Sequence, residues 1–477
     1  MVPYKILLPR IFQIMDTSCT APVARPLPNE SDKVFLTITT VAVALICVSA
    51  LFVTGEAGRG SGAEMSIIAS HLVAGNGYLT PYIPAHYQMQ TTVSPPLYVW
   101  LIAASYSLFG VETYTSRLIL QLLNIAIHCA TLAVLFIYCR NAISSAAAKT
   151  FAILFCIHPH LIYLPSNIWE TSLTTFFLAC ILYLASFRVT NFRTPGLLMF
   201  GCLLGITSLS NPAWTISYPF ICLLPFLLNK TGANWKSITQ RIAIICVAFA
   251  VVVSPWIYRN YQVTDDFVFV RGMTGPEWMK GNNPHANGGH GHGFVRYYLL
   301  SSAEERQKLA ELGEQAYDAD TKALAMKFIL DNKADFGMLT LQRMLMWWTG
   351  DLDATKWYYD QRTTDAFRKS GGSHYFMLGI LLILTGTLTT AFAIIGLFHA
   401  RRTLRKIWGV LLYLIVLPIP FYLIIAGFRY QSALMPILLI PASYTVQILA
   451  IKWRNRSVVN SMGPARPRQH PGTITAN

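Results

Sequence analysis

Apolar positions in this chain fall in long unbroken runs, neither alternating as in a half-buried strand nor forming the single stripe of a surface helix. Runs of roughly 17 to 25 residues can cross a hydrocarbon core of about 30 Å. The pattern predicts about ten, centred on 34–53, 116–138, 150–166, 170–187, 196–210, 213–228, 242–258, 376–398, 408–426 and 431–451. The predicted fold class is an all-α polytopic membrane protein with interfacial helices in its first outer loop and a small, mainly helical external cap.

Segment 94–110 is apolar too, but a crossing there would reverse every later connection and put Arg140 and Lys149 on the wrong side. It is therefore predicted to lie at the interface or to re-enter. Pro95-Pro96 suits a helix entry, and Tyr98, Trp100 and Tyr106 suit the headgroup layer. The resulting organisation is a cytosolic segment 1–33 leading into an uncleaved signal-anchor, a membrane module 34–258 with outer loop 54–115, an external helical region 259–375, C-terminal membrane helices 376–451 and a basic, disordered cytosolic tail 452–477.

Within 259–375, Ser302 and Glu305 have capping-box spacing. Leu309, Leu312, Ala316, Leu324, Met326, Phe328, Ile329 and Leu330 supply an apolar face for two or three helices. No internal repeat and no matching halves are present, which argues against a transporter built from inverted repeats.

Composition agrees: 54% of the 477 residues are apolar and only 12% charged, about half the charged fraction of a soluble domain. The formal net charge is +15. Its cations gather on one set of connections, including Arg140, Lys149, Arg188, Arg193, Lys230, Lys236, Arg241, Arg401, Arg402, Arg405 and Lys406, and on the tail. The positive-inside rule then puts both termini on the cytoplasmic side of the membrane, with the large loops outside. Anionic membrane lipids account for the charge, and no nucleic-acid partner is needed. The nine cysteines precede the external region and mostly sit in spans, with neither disulfide nor zinc spacing.

Candidate chemistry concentrates outside the bilayer. The first outer loop carries Gly55-Glu56, Ala63-Glu64-Met65-Ser66-Ile67-Ile68-Ala69, Gly75-Asn76-Gly77-Tyr78 and Ser94-Pro95-Pro96-Leu97-Tyr98. Carboxylates on a short amphipathic helix against the membrane stand where a lipid-borne substrate could meet a water-soluble one. Further along stand Trp169-Glu170-Thr171-Ser172-Leu173, Asn211-Pro212, Pro255-Trp256 to Arg259-Asn260-Tyr261, Gly281-Asn282-Asn283-Pro284 and Arg429-Tyr430. The order and placement of these segments, with Leu108-Phe109-Gly110 and Arg117-Leu118, over nearly all of 34–451 resembles the GT-C-fold glycosyltransferases. The nearest likeness is to a bacterial branch of the protein O-mannosyltransferase and aminoarabinose-transferase group.

This resemblance implies transfer of a sugar from a polyprenyl-phosphate donor to a lipid, glycan or protein acceptor, with an acid of the first outer loop as catalyst. Such chemistry needs a carboxylate to take the acceptor proton and a cation for the departing phosphate. The acid pair expected of relatives is replaced here by Ser61 and Gly62. Glu64, one helical turn beyond position 61, and Glu56, among Gly55, Gly58 and Gly60, are the two candidate bases. Arg429 with Tyr430 is the first candidate for the phosphate, and Arg117 and Arg259 stand at similar boundaries; each alone also suits a headgroup anchor. Glu170 beside Trp169 suits a sugar hydroxyl, a pairing with Arg259, or a helix-terminal charge. Tyr98 and Asn283 complete the expected substrate contacts.

The sequence carries no certain cofactor site. A divalent cation would fall to His285, His290 and His292, in a glycine-rich loop without the fixed ligands that metals need, which suits a substrate cover instead. Trp347 and Trp348, before Asp351 and Asp353, suit a sugar platform or an interfacial anchor; His158 and His160 suit core or cavity-lining positions; Asp265 and Asp266 suit a solvated turn. Two other classes compete: a lipid-linked sugar or polyisoprenoid flippase, which requires charge at mid-membrane, and a non-catalytic envelope assembly factor, whose acids would tolerate replacement.

Overall fold

A computed structural model describes residues 29–60, 62–228, 234–350, 373–400 and 404–461. The chain runs α1 (Glu30–Val53), α2 (Glu64–Val73), α3 (Pro96–Phe109), α4 (Tyr114–Ala142), α5 (Ser145–Ile157), α6 (Pro159–Tyr163), α7 (Thr171–Phe187), α8 (Thr194–Ser210), α9 (Tyr218–Leu228), α10 (Trp235–Thr264), α11 (Thr274–Gly281), α12 (His292–Tyr297), α13 (Ala303–Leu312), α14 (Glu314–Asp331), α15 (Lys333–Thr349), α16 (Ser373–His399), α17 (Leu404–Val416), α18 (Ile419–Leu423) and α19 (Phe428–Ser461). Among the described residues the one β-type pairing is the isolated bridge between Leu79 and Gln90. All ten predicted apolar runs are helical.

Five of them are long and apolar enough to cross a membrane: α1, α4, α10, α16 over Gly379–His399 and α19 over Arg429–Arg454. A sixth arises if Ser145–Ile157 and Pro159–Ser166, bent by 59°, count as one span. The remaining four runs, Thr171–Phe187, Thr194–Ser210, Pro212–Leu228 and Ile407–Leu423, are apolar but shorter. This is a polytopic membrane protein.

One ion-pair cluster orders the first helices. Asp32, 1% exposed in the first turn of α1, takes Arg140 Nε at 2.8 Å and Ser145 Oγ at 2.6 Å, with Lys149 Nζ at 3.4 Å. The start of α1 thus lies beside the end of α4 and the start of α5, so α1 and α4 are antiparallel and residues 54–113 both leave and return on one side. α3 is 14 residues long, shorter than the helices long enough to cross. Its aromatics are not all at a headgroup layer, however. Tyr98 and Tyr106 are each 1% exposed because they face the protein, while Trp100 is exposed.

Two apolar cores follow from this layout. The larger joins the membrane helices through Phe136, Phe151, Phe155, Leu182, Tyr413 and Leu439. The second lies under the loops, where Ile68, Val99, Ile102 and Ile168 meet Val270, Leu299 and Leu309. It fastens the first loop to the cap, and thereby sets the site.

In the cap, Ser302 Oγ accepts from Glu305 N–H at 3.3 Å, the forward half of a capping box. The Glu305 carboxylate turns instead to the Tyr317 hydroxyl at 2.8 Å. Leu309 is buried as expected, but Leu312, Leu324 and Leu330 face outward. The tail differs from expectation as well, since α19 continues as helix through Ser461. The eight described cysteines are free thiols. Residues 1–28, Asp351, Asp353 and 462–477 lie outside the described residues.

Candidate active site

Three buried side chains build the floor. Gln121 on α4 takes Gly58 N–H on its carbonyl at 2.8 Å and donates its amide to the carbonyls of Glu56 (2.9 Å) and Ser166 (2.8 Å). One turn on, Asn124 donates to Asn167 O at 2.8 Å and accepts from the Tyr98 hydroxyl at 3.1 Å. Tyr98 is therefore a strut of the floor. A polar group buried in a membrane helix is stable only when so satisfied.

Glu64 is the first residue of α2, half-buried, and its Oε1 accepts from the Tyr298 hydroxyl at 3.1 Å. The helix begins at Glu64 itself; Ser61, to which a one-turn relation was expected, lies outside the described residues. Burial pushes the Tyr298 phenol up, the Glu64 carboxylate pushes it further, and the Arg429 guanidinium pulls it back. The acid and the guanidinium thus act on one phenol. Glu56 sits half-buried in the turn after α1, with its carbonyl on Gln121.

Arg429, in the first turn of α19, pairs with Glu170 Oε2 and lies over the Trp169 ring at 5.2 Å. Glu170 is the N-cap residue of α7, 7% exposed, and also accepts from Asn211 Nδ2 at 3.3 Å. The partner of Glu170 is thus Arg429, and the expected pairing with Arg259 is corrected. Arg259 instead donates to Thr91 O at 2.6 Å, Gln90 Oε1 at 3.1 Å and Tyr78 O at 3.4 Å, and lies over the Tyr78 and Trp256 rings. It organises the first loop.

A second charged group adjoins the first. Glu277 takes Arg271 Nη2 at 2.7 Å and Lys280 Nζ at 2.8 Å. Burial alone would raise this carboxyl, but Lys280 and Arg271 hold it down at about 2. The Lys280 ammonium lies over the Phe294 and Tyr298 rings at 5.3 and 5.2 Å. Glu277 and Lys280, with Tyr82, Pro276 and Tyr297, line a crevice against Tyr298. The Nε of Arg271 and the Nε of Arg429 are each buried without a hydrogen-bond partner.

Other predicted residues lie elsewhere or are fully engaged. Arg117 pairs with Glu112 at 3.2 Å, at the start of α4. Asn283, 1% exposed, spends its amide on the carbonyls of Met279, Lys280 and Gly293, and its oxygen accepts from His285 N–H. It braces the loop and is not presented to a ligand. Trp347, 2% exposed, stacks on Phe421 at 5.0 Å, and Phe421 stacks on Tyr430 at 4.5 Å. Trp347 is neither platform nor anchor. Trp348 Nε1 donates to the Tyr422 hydroxyl at 2.9 Å. His158 and His160 are buried, set against Thr389 and Leu382 O on α16. His290 packs at 4.6 Å from Phe294. Among the described residues no three His, Cys, Asp or Glu side chains gather as a metal set.

Sequence reading missed Tyr298, Arg271, Glu277 and Lys280, which lie on short segments without periodicity. The spacing of Glu277 and Lys280, three apart, was the one legible sign. It also missed Gln121 and Asn124. The two amides were visible as polar residues inside an apolar run.

No family model matches the chain, and no curated protein sequence matches it. Among solved structures, the apo oligosaccharyltransferase of Archaeoglobus fulgidus superposes with a TM-score of 0.50 at 12% identity, over 91% of this chain and 53% of that one. The chain has a GT-C fold. It spans about half the length of that oligosaccharyltransferase. A weaker match is ArnT from Cupriavidus metallidurans bound to undecaprenyl phosphate, with a TM-score of 0.38 at 13% identity over 87% and 77% of the two chains. In this GT-C fold, α2 carries Glu64 and the first turn of α19 carries Arg429.

Proposed function

We propose that this chain is a membrane glycosyltransferase that moves a sugar from a polyprenyl-phosphate donor to a hydroxyl of a lipid, glycan or protein acceptor. The side bearing α2 and the cap is the outer face of a bacterial inner membrane, and both termini are cytoplasmic. One observation carries the reading: the Tyr298 hydroxyl donates to Glu64 at 3.1 Å while the Lys280 ammonium, joined through Glu277 to Arg271, lies over the same ring.

Glu64 takes the acceptor proton as the acceptor oxygen bonds to the anomeric carbon, and the bond from that carbon to the phosphate oxygen breaks. The polyprenyl phosphate leaves with the negative charge. Arg429 and Arg271 receive it; each carries a buried Nε–H with no hydrogen-bond acceptor, a donor that an anion would satisfy. Tyr298 orients the base. Glu170 aims Arg429 and tempers its charge, so that product phosphate is released. Glu56, further back in the turn, is the alternative base.

The test is transfer by purified protein in liposomes offered a panel of polyprenyl-phosphate sugars. Release of polyprenyl phosphate by the native chain and none by Glu64→Gln is the expected result. Full turnover by Glu64→Gln would reject the assignment of the base, and no turnover of any donor by the native chain would reject the enzyme class.

A further inference from the structure

The region before α16 reads as soluble cap from sequence, yet beyond the exposed Lys333 and Asp335 of its first turn the last helix presents an apolar face. The exposed faces of α13 and α14 carry Glu304, Gln307, Glu311, Asp320 and Lys322. On α15 the exposed residues from 337 to 345 are Gly337, Met338, Leu341, Met344 and Leu345, with no polar side chain among them. Met338, Leu341 and Leu345 are 58%, 56% and 66% exposed at helical spacing along one face. Arg343, the one charge of this stretch, is turned inward and 0% exposed, donating to Leu423 O at 2.9 Å, Asn282 Oδ1 at 3.0 Å and Gly281 O. Gly281 is close-packed on the Ile424 carbonyl, where any side chain would collide.

Depth can be read from α16, which spans. The Thr390 hydroxyl donates to Trp348 O and the Thr387 hydroxyl to Thr349 O, both at 3.0 Å, and Gly350 packs on Ile383. The chain therefore reaches its deepest point near Trp348 and has turned back by Gly350. Gly386 sits beside Gln431, the neighbour but one of Arg429. Thr390 is one helical turn further along α16, so the end of α15 lies about 6 Å below that level. The apolar face of α15 then continues into exposed Leu384 and Leu388 of α16, which face lipid.

We infer that α15 is a partly inserted interfacial helix whose Met338, Leu341 and Leu345 face contacts the acyl chains of bilayer lipid. Helices of this kind bury an apolar face about 5 to 10 Å into the boundary between headgroups and chains. The contact has a consequence for the site: Trp347, on the inward face, stacks through Phe421 on Tyr430, next to Arg429. Lipid packing on one face of α15 is thereby mechanically joined to the proposed phosphate site on the other.

The test uses the full chain in phosphatidylethanolamine and phosphatidylglycerol vesicles. A benzophenone amino acid replaces Leu341, Leu345 or, as a reference on α13, Glu311. Ultraviolet-induced lipid adducts at 341 and 345, at least about tenfold above 311 by mass spectrometry, are expected; equal yields at the three sites would overturn the inference. Hydrogen exchange of the unsubstituted chain in nanodiscs supplies a second readout. Amides of 338–349 should exchange at least about tenfold more slowly than those of α13; exchange as fast as in α13 would also overturn it.

Discussion

The Tyr298 hydroxyl donates to the Glu64 carboxylate at 3.1 Å across 234 residues of sequence. Neither residue is placed by its own helix alone. Glu64 opens α2, which packs on α3, while Tyr298 closes α12, and the second core under the loops brings the two together. A carboxylate fixed by one donor retains its second oxygen for a proton.

Glu64→Gln keeps an oxygen that can accept from Tyr298, so the fold should survive. Transfer should fall by about 100-fold or more, the usual range for loss of a general base. Turnover and thermal unfolding measured on the same preparation separate chemistry from stability, and a turnover loss matched by a large fall in melting temperature would contradict the assignment.

Arg429→Ala strips the buried Glu170 carboxylate of its partner and should cost about 3 kcal/mol, as for other broken buried pairs. Asn211 alone cannot compensate a charge. Combining it with Glu170→Ala should restore much of the stability but none of the donor affinity. Donor titration and chemical unfolding of the single and double variants measure the two effects, and recovery of donor affinity in the double variant would remove Arg429 from the phosphate site.

The Glu277 carboxyl is depressed from 4.5 to about 2 by Lys280 and Arg271. Unfolded, it titrates at its ordinary value, so the folded state binds its proton less tightly. Its stabilisation is complete above pH 4.5 and is lost as pH falls toward 2. The native chain should lose stability through that window, and Glu277→Gln should be less stable at neutral pH with a flatter acid limb. Unfolding midpoints at a series of pH values check the sign.

Trp347→Ala should cost about 3 to 5 kcal/mol, the usual loss for truncating a large buried aromatic. Arg259→Gln should loosen the first loop by removing donors to Thr91 and Tyr78 while leaving donor affinity within about twofold, since Arg259 braces a loop. Unfolding curves and donor titrations on both variants decide this.

Membrane class and the helical apolar runs were legible, and Glu64, Arg429 and Glu170 stood out as candidates, because hydropathy and charge act locally along the chain. Each depends on a run of neighbours or on a charge at its end. The pairing of Glu170 with Arg429 was not legible, since three arginines stood at equivalent boundaries and only packing of α7 against α19 selects one. Asn283 looked like a substrate ligand for a similar reason. An exposed asparagine and one satisfied by three carbonyls are identical in sequence.

By itself the sequence determined that this chain must live in a bilayer and where its segments would be helical, because transfer of apolar side chains and satisfaction of backbone hydrogen bonds leave no other solution in lipid. Tertiary structure alone decided which charges meet. Glu64 with Tyr298 and Arg429 with Glu170 join parts of the chain that no local preference relates, and their partners were chosen by the packing of the apolar faces around them.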